Sequence, residues 1–521
     1  MDLSNVSKAQ KMQLPIYDKT VTTDLAGDFS LPDYQPEIKR LLRIRAAVMP
    51  PTGYCTADSI DMSGIINYFV LYVGGDNSLY CAPLSTEYSV VTPIDANSFD
   101  IDTESIFATC ESKVESSVGR VSAPRRLSIK TKLNSRVKAY ADSMPRVDVD
   151  GDDKLLDTLE RLEGKADVCR LAYAQSQPVM LTDDIILEQK NQDMRVVCAE
   201  GQVFVSDVRA ADRGAECRGE LILKLTLSPE PTEGDSDIAA IPPVILWRKL
   251  PFTEIVELDG AGADISPAAR GYCTDLSVEI EEGQLHVECA ATLEVFAQKN
   301  ECISYVKDIY STRQDSTERY ATRNVQCAHK TVNSNFTLSD SLLLSEAGID
   351  GGAQIADVCG TAAAEEISCD GDRCVVSGKA HFHLLLCSNG EYSFAELDLP
   401  FRYEVDCNAA ERVVLCESEA GVISCRARMD GERIGIDAEI AMMLRIASED
   451  NIKMLEGVEF KREVVRRRGE YVVCFPAPDD TLWSVAKRYH APMATLSVAN
   501  DLPSTAPDDA NALNGIGYLI V

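Results

Sequence analysis

The sequence lacks several features that would place it in a familiar class. It has no run near the about 18 consecutive apolar residues that a membrane-spanning helix needs. Cations are scarce, with 51 Lys and Arg against 83 Asp and Glu, so the formal net charge is -32. A chain this acidic repels phosphate groups, which argues against nucleic acid as a partner. We therefore predict neither nucleic-acid binding nor membrane insertion.

Short motifs of common catalytic and metal sites are also missing. No Walker loop, H-E-x-x-H or G-x-S-x-G pattern occurs. None of the 18 cysteines forms a C-x-x-C pair, which argues against structural zinc. His381 and His383, two of only five histidines, share a face of a predicted strand, but no third ligand has matching spacing. The sequence therefore predicts no enzymatic activity, no bound metal and no cofactor.

The N-terminal segment (1–20) is polar, with scattered lysines and no apolar core of signal-peptide length. We therefore expect a protein that is not exported. In a reducing compartment its cysteines are expected to be free thiols. Many of them, such as Cys198 and Cys289, lie in alternating apolar runs, which is typical of small buried side chains.

Short alternating or apolar runs between Gly, Pro, Asn and Asp clusters fill most of the chain and predict strands. The clearest helix candidate outside the C-terminal region is 154–163, in which four leucines fall on one helical face: Leu155, Leu156, Leu159 and Leu162. We predict that this segment is a helix connecting two β modules.

Three related segments recur in one order, three times over. The first segment opens with a glycine at Gly64, Gly219 and Gly378. The second opens with a leucine at Leu84, Leu250 and Leu399. The third is an alternating strand at 126–133, 284–295 and 433–444. A polar insertion at 228–239 explains the longer spacing in the middle copy.

Each copy has the size of an ordinary domain, so a mainly β fold of tandem sandwiches or open barrels is predicted. We place the three modules at 1–150, 151–300 with the connector helix, and 301–455, the last one divergent. A basic stretch at 456–470 is interpreted as a linker, although a docking patch for an acidic partner is the alternative.

Residues 471–521 predict a small strand–helix–helix–strand unit. This unit resembles a LysM domain, on the family-pattern matches Tyr471, Val473, Asp480-Thr481-Leu482-Trp483, Val485-Ala486, Tyr489, Leu496, Asn500, Gly517 and Leu519-Ile520. Two positions depart from the pattern. Asp479 replaces a glycine, and Val521 stands where a proline is expected.

The resemblance implies a shallow groove that binds a partner or a glycan. Its lining is implied to be Asp480, Thr481, Leu482, Trp483, Asn500, Asp501, Leu502 and Pro503. Trp483 is the most plausible anchor, because aromatic residues dominate interface hot spots. The alternatives are that Leu482 and Trp483 pack the small core and that Asn500 ends a helix. Asp479 adds negative charge at the lip of the groove, which argues against sugar binding.

The three modules resemble SPOCS domains of spore-coat morphogenetic proteins, on 28–48 (DFSLPDYQPEIKRLLRIRAAV), the repeated segments and 305–312 (YVKDIYST). SPOCS repeats followed by a LysM imply a non-enzymatic, extended scaffold of the spore coat. The implied location is the mother-cell cytoplasm at the forespore surface, and the implied partners are the coat-basement ATPase and other coat proteins. Self-association stays open. The rival interpretation is a peptidoglycan-binding protein of the wall or cortex.

Overall fold

The computed structural model describes residues 12–96, 101–143, 147–150, 157–188, 191, 193–230, 242–370, 373–406, 413–464, 472–502, 507–509 and 511–521. Strands dominate these residues, as the mainly β prediction requires. The two α-helices of the described chain both lie in the C-terminal unit (471–521). Neither has the length and apolarity needed to cross a membrane.

The first module consists of seven strands in two antiparallel sheets. One sheet is built around β4, which pairs with β2, β3 and β5, and the other has the order β1-β7-β6. The strands are β1 (Met12–Ser30), β2 (Ile38–Val48), β3 (Thr52–Cys55), β4 (Ser59–Gly74), β5 (Leu79–Pro93), β6 (Phe107–Ala123) and β7 (Arg126–Ser143). A short strand, β8 (Asp148–Asp150), follows it and pairs with the last long strand of the third module.

The second and third modules repeat this topology with six strands each. In each of these modules the second, third and fourth strands form a meander sheet. The other sheet has the sixth strand in the middle, between the first and the fifth. The second module has β9 (Leu159–Ile186), β10 (Met194–Ala211), β11 (Gly214–Pro229), β12 (Val244–Glu257), β13 (Ile265–Glu281) and β14 (Gln284–Ser311). The third has β15 (Gln314–Leu343), β16 (Gln354–Asp370), β17 (Arg373–Ser388), β18 (Glu391–Asp406), β19 (Val413–Asp430) and β20 (Arg433–Glu463).

The repeat glycines lie on the central strands of the meander sheets, where each faces an aromatic ring. The opposed pairs are Gly64 with Tyr88, Gly219 with Phe252, and Gly378 with Phe401. A Cβ on Gly219 would lie 2.7 Å from the Phe252 ring, so only glycine admits the ring at this point. An aromatic side chain that covers a strand glycine restores the apolar contact that the glycine lacks.

This register corrects one part of the predicted repeat. Leu250 lies opposite Leu221, two residues after the repeat glycine, whereas Leu84 lies opposite Tyr68, four residues after it. The leucines of the first and second copies are therefore not equivalent, because the aromatic residue and not the leucine meets the glycine.

Three further expectations differ from the structure. The predicted helix is a strand from Leu159 onward, and residues 154–156 lie outside the described residues. Leu162 pairs with Asp308 of β14 and is buried, so strand pairing outweighs the local helical spacing. The boundary expected at 300/301 falls inside β14. The expected linker is part of β20 as far as Glu463, and residues 465–470 are not described.

One cysteine pair also differs from the expectation of free thiols. Cys369 and Cys374 are paired directly across the β16–β17 hairpin and form a disulfide. The other cysteines whose side chains are described are not disulfide-bonded, and the Sγ atoms of Cys81 and Cys198 lie 2.9 Å apart at the contact of the first two modules.

Each module has its own apolar core, but the three modules also meet at a buried charged cluster, here called the junction cluster. Arg43 of β2 lies 2.5 Å from Glu200 of β10 and 3.4 Å from Asp357 of β16. Lys224 lies 2.6 Å from Asp357, and Arg45 also binds Glu200. Only 4 % of the side-chain surface of Glu200, Asp357 and Lys224 is exposed. Each of these charges is therefore stabilised by its oppositely charged neighbours rather than by water.

The junction cluster uses the same two positions of each repeat. Arg43 and Asp357 each lie opposite the residue that is seven places after the repeat glycine of their own module. Arg45 and Glu200 each lie opposite the residue that is five places after the repeat glycine of their own module. Cysteines occupy the remaining two of the six positions. Three identical copies would bring like charges together here, so the differences between copies make the contact attractive.

A second charged cluster, half-buried and here called the axial cluster, lies on the other sheets of the three modules. Arg270 of β13 lies 2.6 Å from Glu111 of β6 and 2.8 Å from Glu419 of β19. Each of the three residues pairs with the central strand of its own sheet, and its partner is the residue ten places after the first residue of that strand. Equivalent strands of the three modules therefore surround one pseudo-threefold line. The modules form a closed cluster rather than the extended arrangement that was expected.

Candidate functional site

The C-terminal unit folds as one strand pair and two short helices. β21 (Val473–Cys474) pairs antiparallel with β22 (Leu519–Ile520). The helices are α1 (Leu482–Arg488) and α2 (Met493–Ala499). This is the strand–helix–helix–strand order that the sequence predicts.

The start of the predicted groove is a helix cap. Thr481 is the N-cap of α1, and its hydroxyl accepts from the Ser484 amide at 3.1 Å while Ser484 Oγ accepts from the Thr481 amide at 3.0 Å. Asp480 is buried, accepts from the Ala477 amide at 2.9 Å and pairs with Arg488. These two residues therefore fix the turn that leads into α1.

Leu482 and Trp483 are both buried rather than presented to solvent. Leu482 packs in the core of the unit, and Trp483 is 5 % exposed. The Trp483 ring packs edge-on against Tyr310 of β14, with ring centres 4.9 Å apart. Its Nε1 donates to Asp308 Oδ2 at 2.8 Å. The expected anchor thus contacts the second module of its own chain.

Asp308 is the polar centre of this contact. It accepts from Trp483, from Lys487 Nζ at 2.7 Å and from the Tyr320 hydroxyl at 2.7 Å. Burial alone would raise the pKa of Asp308, but these hydrogen bonds and the charge of Lys487 outweigh it and lower the pKa. The carboxylate is therefore ionised at neutral pH and favours the docked position of α1.

Further contacts hold the same face of the unit. The Tyr310 hydroxyl donates to the Ala491 carbonyl at 2.7 Å, and His490 Nδ1 lies 2.8 Å from the Ser311 carbonyl. Lys307 Nζ lies 2.5 Å from Asp508 Oδ2. The receiving stretch is 305–312, which the sequence singled out only by its resemblance. No local pattern in it predicts a docking contact.

The second half of the predicted groove is divided between structural and exposed residues. Asn500 Nδ2 donates to the carbonyls of Leu496 and Ile520, both at 2.8 Å, and its Oδ1 accepts from the Ile520 amide at 2.7 Å. It therefore joins the end of α2 to β22. Asp501 is exposed with a φ of 49°, and Leu502 packs on the core. Pro503 lies outside the described residues.

A cavity of about 70 Å³ lies beside the axial cluster, with room for several water molecules. All three modules line it, through residues that include Lys138, Arg270 and Arg445. Arg270 and Arg445 are already paired with Glu419. Two of the cations that line the cavity are therefore paired with carboxylates of the axial cluster.

No family model, curated protein or solved structure matches the chain.

Proposed function

We propose that this protein is a non-enzymatic morphogenetic scaffold of the spore coat, acting in the mother cell at the forespore surface. The observation that carries the scaffold role is the pair of charged clusters between the modules. Equivalent positions of three diverged modules bear complementary charges there. Such clusters favour one arrangement of the modules over others and suit a rigid support for other proteins. The coat setting rests on the resemblance to SPOCS and LysM domains.

In this proposal the C-terminal unit captures a protein partner, for which the resemblance implies the coat-basement ATPase. The groove at 480–483 and 500–503 is the proposed surface. Since Trp483 is packed against Tyr310 and Asp308, a partner at this groove competes with the second module for α1. Loosening the docked state should then increase capture.

The test is affinity capture from a sporulating lysate with full-length baits, followed by mass spectrometry. Asp308→Asn removes a charge that holds α1 but leaves the C-terminal unit itself unchanged, so it should retain more of the partner than the wild type. Trp483→Ala should retain less. Asp184→Asn is the matched control, because Asp184 is an exposed carboxylate of the same module far along β9.

Equal capture by Asp308→Asn and Trp483→Ala would rule out the groove as the binding surface. Absence of any retained protein, together with pelleting of the chain on purified peptidoglycan, would favour the glycan-binding alternative.

A further inference from the structure

Two histidines and a glutamate converge on the meander sheet of the third module, beside the junction cluster, since His383 lies opposite Cys359, which accepts from Arg43. His381 and His383 lie two apart on β17, and Glu396 lies on the neighbouring strand β18. One donor atom from each of the three side chains lies within 4.8 Å of the other two. The strand register explains this convergence, because His383 is directly opposite Glu396 and His381 is directly opposite Asp398. The third ligand is thus invisible in sequence spacing and is supplied by the adjacent strand.

The two imidazoles are close enough to share a ligand. Their ring centres are 4.6 Å apart and their planes are nearly perpendicular, at 87°. Asp398 binds His381 at Nδ1, which leaves Nε2 as the free nitrogen. A carboxylate that holds one histidine nitrogen while the other binds metal is the usual outer-shell arrangement of zinc sites. Glu396 Oε1 lies 3.3 Å from His383 Nδ1.

All three side chains are accessible to an ion from solvent, since His381, His383 and Glu396 are 38 %, 35 % and 52 % exposed. The simpler interpretation is a pair of unrelated surface contacts between histidine and carboxylate. Such a contact exists in the second module, where His286 Nδ1 lies 2.5 Å from Asp184; among the described residues, no metal-type cluster includes His286. His286 therefore provides an internal comparison.

We propose that His381, His383 and Glu396 bind a divalent ion of the zinc class, with Asp398 orienting His381. Imidazole and carboxylate ligands suit Zn²⁺, and three protein ligands leave a coordination position for water. Since the ligands come from adjacent strands, a bound ion cross-links β17 to β18 at the surface of the meander sheet.

The experiment is titration of the purified, reduced full chain with ZnCl₂ by calorimetry, and with CoCl₂ by absorption. The wild type should bind one ion per chain in a site that His383→Ala abolishes and Glu396→Gln weakens. Asp398→Asn should weaken binding about 10- to 100-fold, the usual effect of removing an orienting partner. His286→Ala, the matched control, should bind as the wild type does.

The cobalt spectrum separates this site from the free cysteines. Bound Co²⁺ should show visible ligand-field bands without a sulfur-to-cobalt charge-transfer band. A charge-transfer band that disappears in His383→Ala would overturn the ligand set, since Cys359 lies directly opposite His383 on β16, whereas a band retained in that variant arises from thiols elsewhere in the chain. Unchanged binding by His383→Ala and Glu396→Gln, or equal loss in His286→Ala, would also overturn the ligand set. Circular dichroism of each variant checks that the sheet is retained.

Discussion

Replacing Glu200 with glutamine tests whether the junction cluster stabilises the arrangement of the modules. Burial alone would raise the pKa of Glu200, but the charges of Arg43, Arg45 and Lys224 lower it from 4.5 to about 2. At about 1.36 kcal/mol per pKa unit, this shift corresponds to ~3 kcal/mol of stability. Removal of one partner from a buried ion pair costs about 3–5 kcal/mol, which agrees. We expect Glu200→Gln to lose ~3 kcal/mol at pH 7.

The pH dependence has a defined sign. The folded-state pKa lies below the unfolded value, so the stabilisation is present above about pH 5 and is lost as the pH falls toward 2. The glutamine variant has no such titration at this position. The stability difference between the two proteins should therefore shrink steadily between about pH 5 and pH 2. Glu111, whose pKa Arg270 and Lys113 lower to about 2 against the effect of burial, titrates equally in both proteins and cancels in the difference.

The assay is urea unfolding followed by tryptophan fluorescence and by circular dichroism at several pH values. Trp247 is a local reporter, since its ring centre lies 5.5 Å from Lys224 Nζ. Coincident transitions by the two probes license the free-energy comparison. Glu115→Gln, at an exposed carboxylate paired with Lys132, is the control and should unfold at the wild-type midpoint. Wild-type stability of Glu200→Gln at pH 7, or a difference that stays constant down to pH 3, would refute the reasoning.

Three further predictions concern the repeat, the docking contact and the cysteines. Gly219→Ala places a Cβ 2.2 Å from the Phe204 carbonyl oxygen and should cost about 1–3 kcal/mol in unfolding experiments, whereas Gly351→Ala, with no atom within 4 Å, should cost far less. Asp308→Asn removes a charged acceptor for α1, so the amide protons of α1 should exchange faster. The free energy that protects them from exchange should fall by about 1.5–3 kcal/mol, and unchanged exchange would contradict the docking role. Thiol titration of denatured protein should find at least two more thiols after reduction than before it, from the Cys369–Cys374 bond; equal counts would contradict that bond.

One further feature of the sequence indicates that the modules contact one another. The central meander strands contain apolar runs without alternation, as in 70–73, 221–223 and 384–387. A strand that alternates buries one face, whereas a continuous run indicates burial of both. In the structure one face of β11 packs in its own module, and the other meets the third module through Ile222. The runs could thus have predicted a contact, although not its partner.

The candidate groove could be located from sequence only as a stretch of chain. Cap residues such as Thr481 act on amides three residues away, so their role is readable locally. Trp483 instead meets Asp308 across 175 residues, and no periodicity encodes that distance. The helix expected at 154–163 fails for the same reason, because Leu162 gains more by pairing with β14 than its spacing alone reveals.

By itself the sequence determined the strand-rich class, the threefold recurrence of glycine-opened strands and the strand–helix–helix–strand order of the C-terminal unit. These features rest on periods of two or about 3.6 residues and on caps, which are properties of neighbouring residues. Tertiary structure alone decided that Arg43 meets Glu200 and Asp357, that Glu396 joins the two histidines, and that Trp483 is docked. Those contacts depend on strand register and on packing between modules, and both are set by the summed burial of whole surfaces rather than by any local pattern.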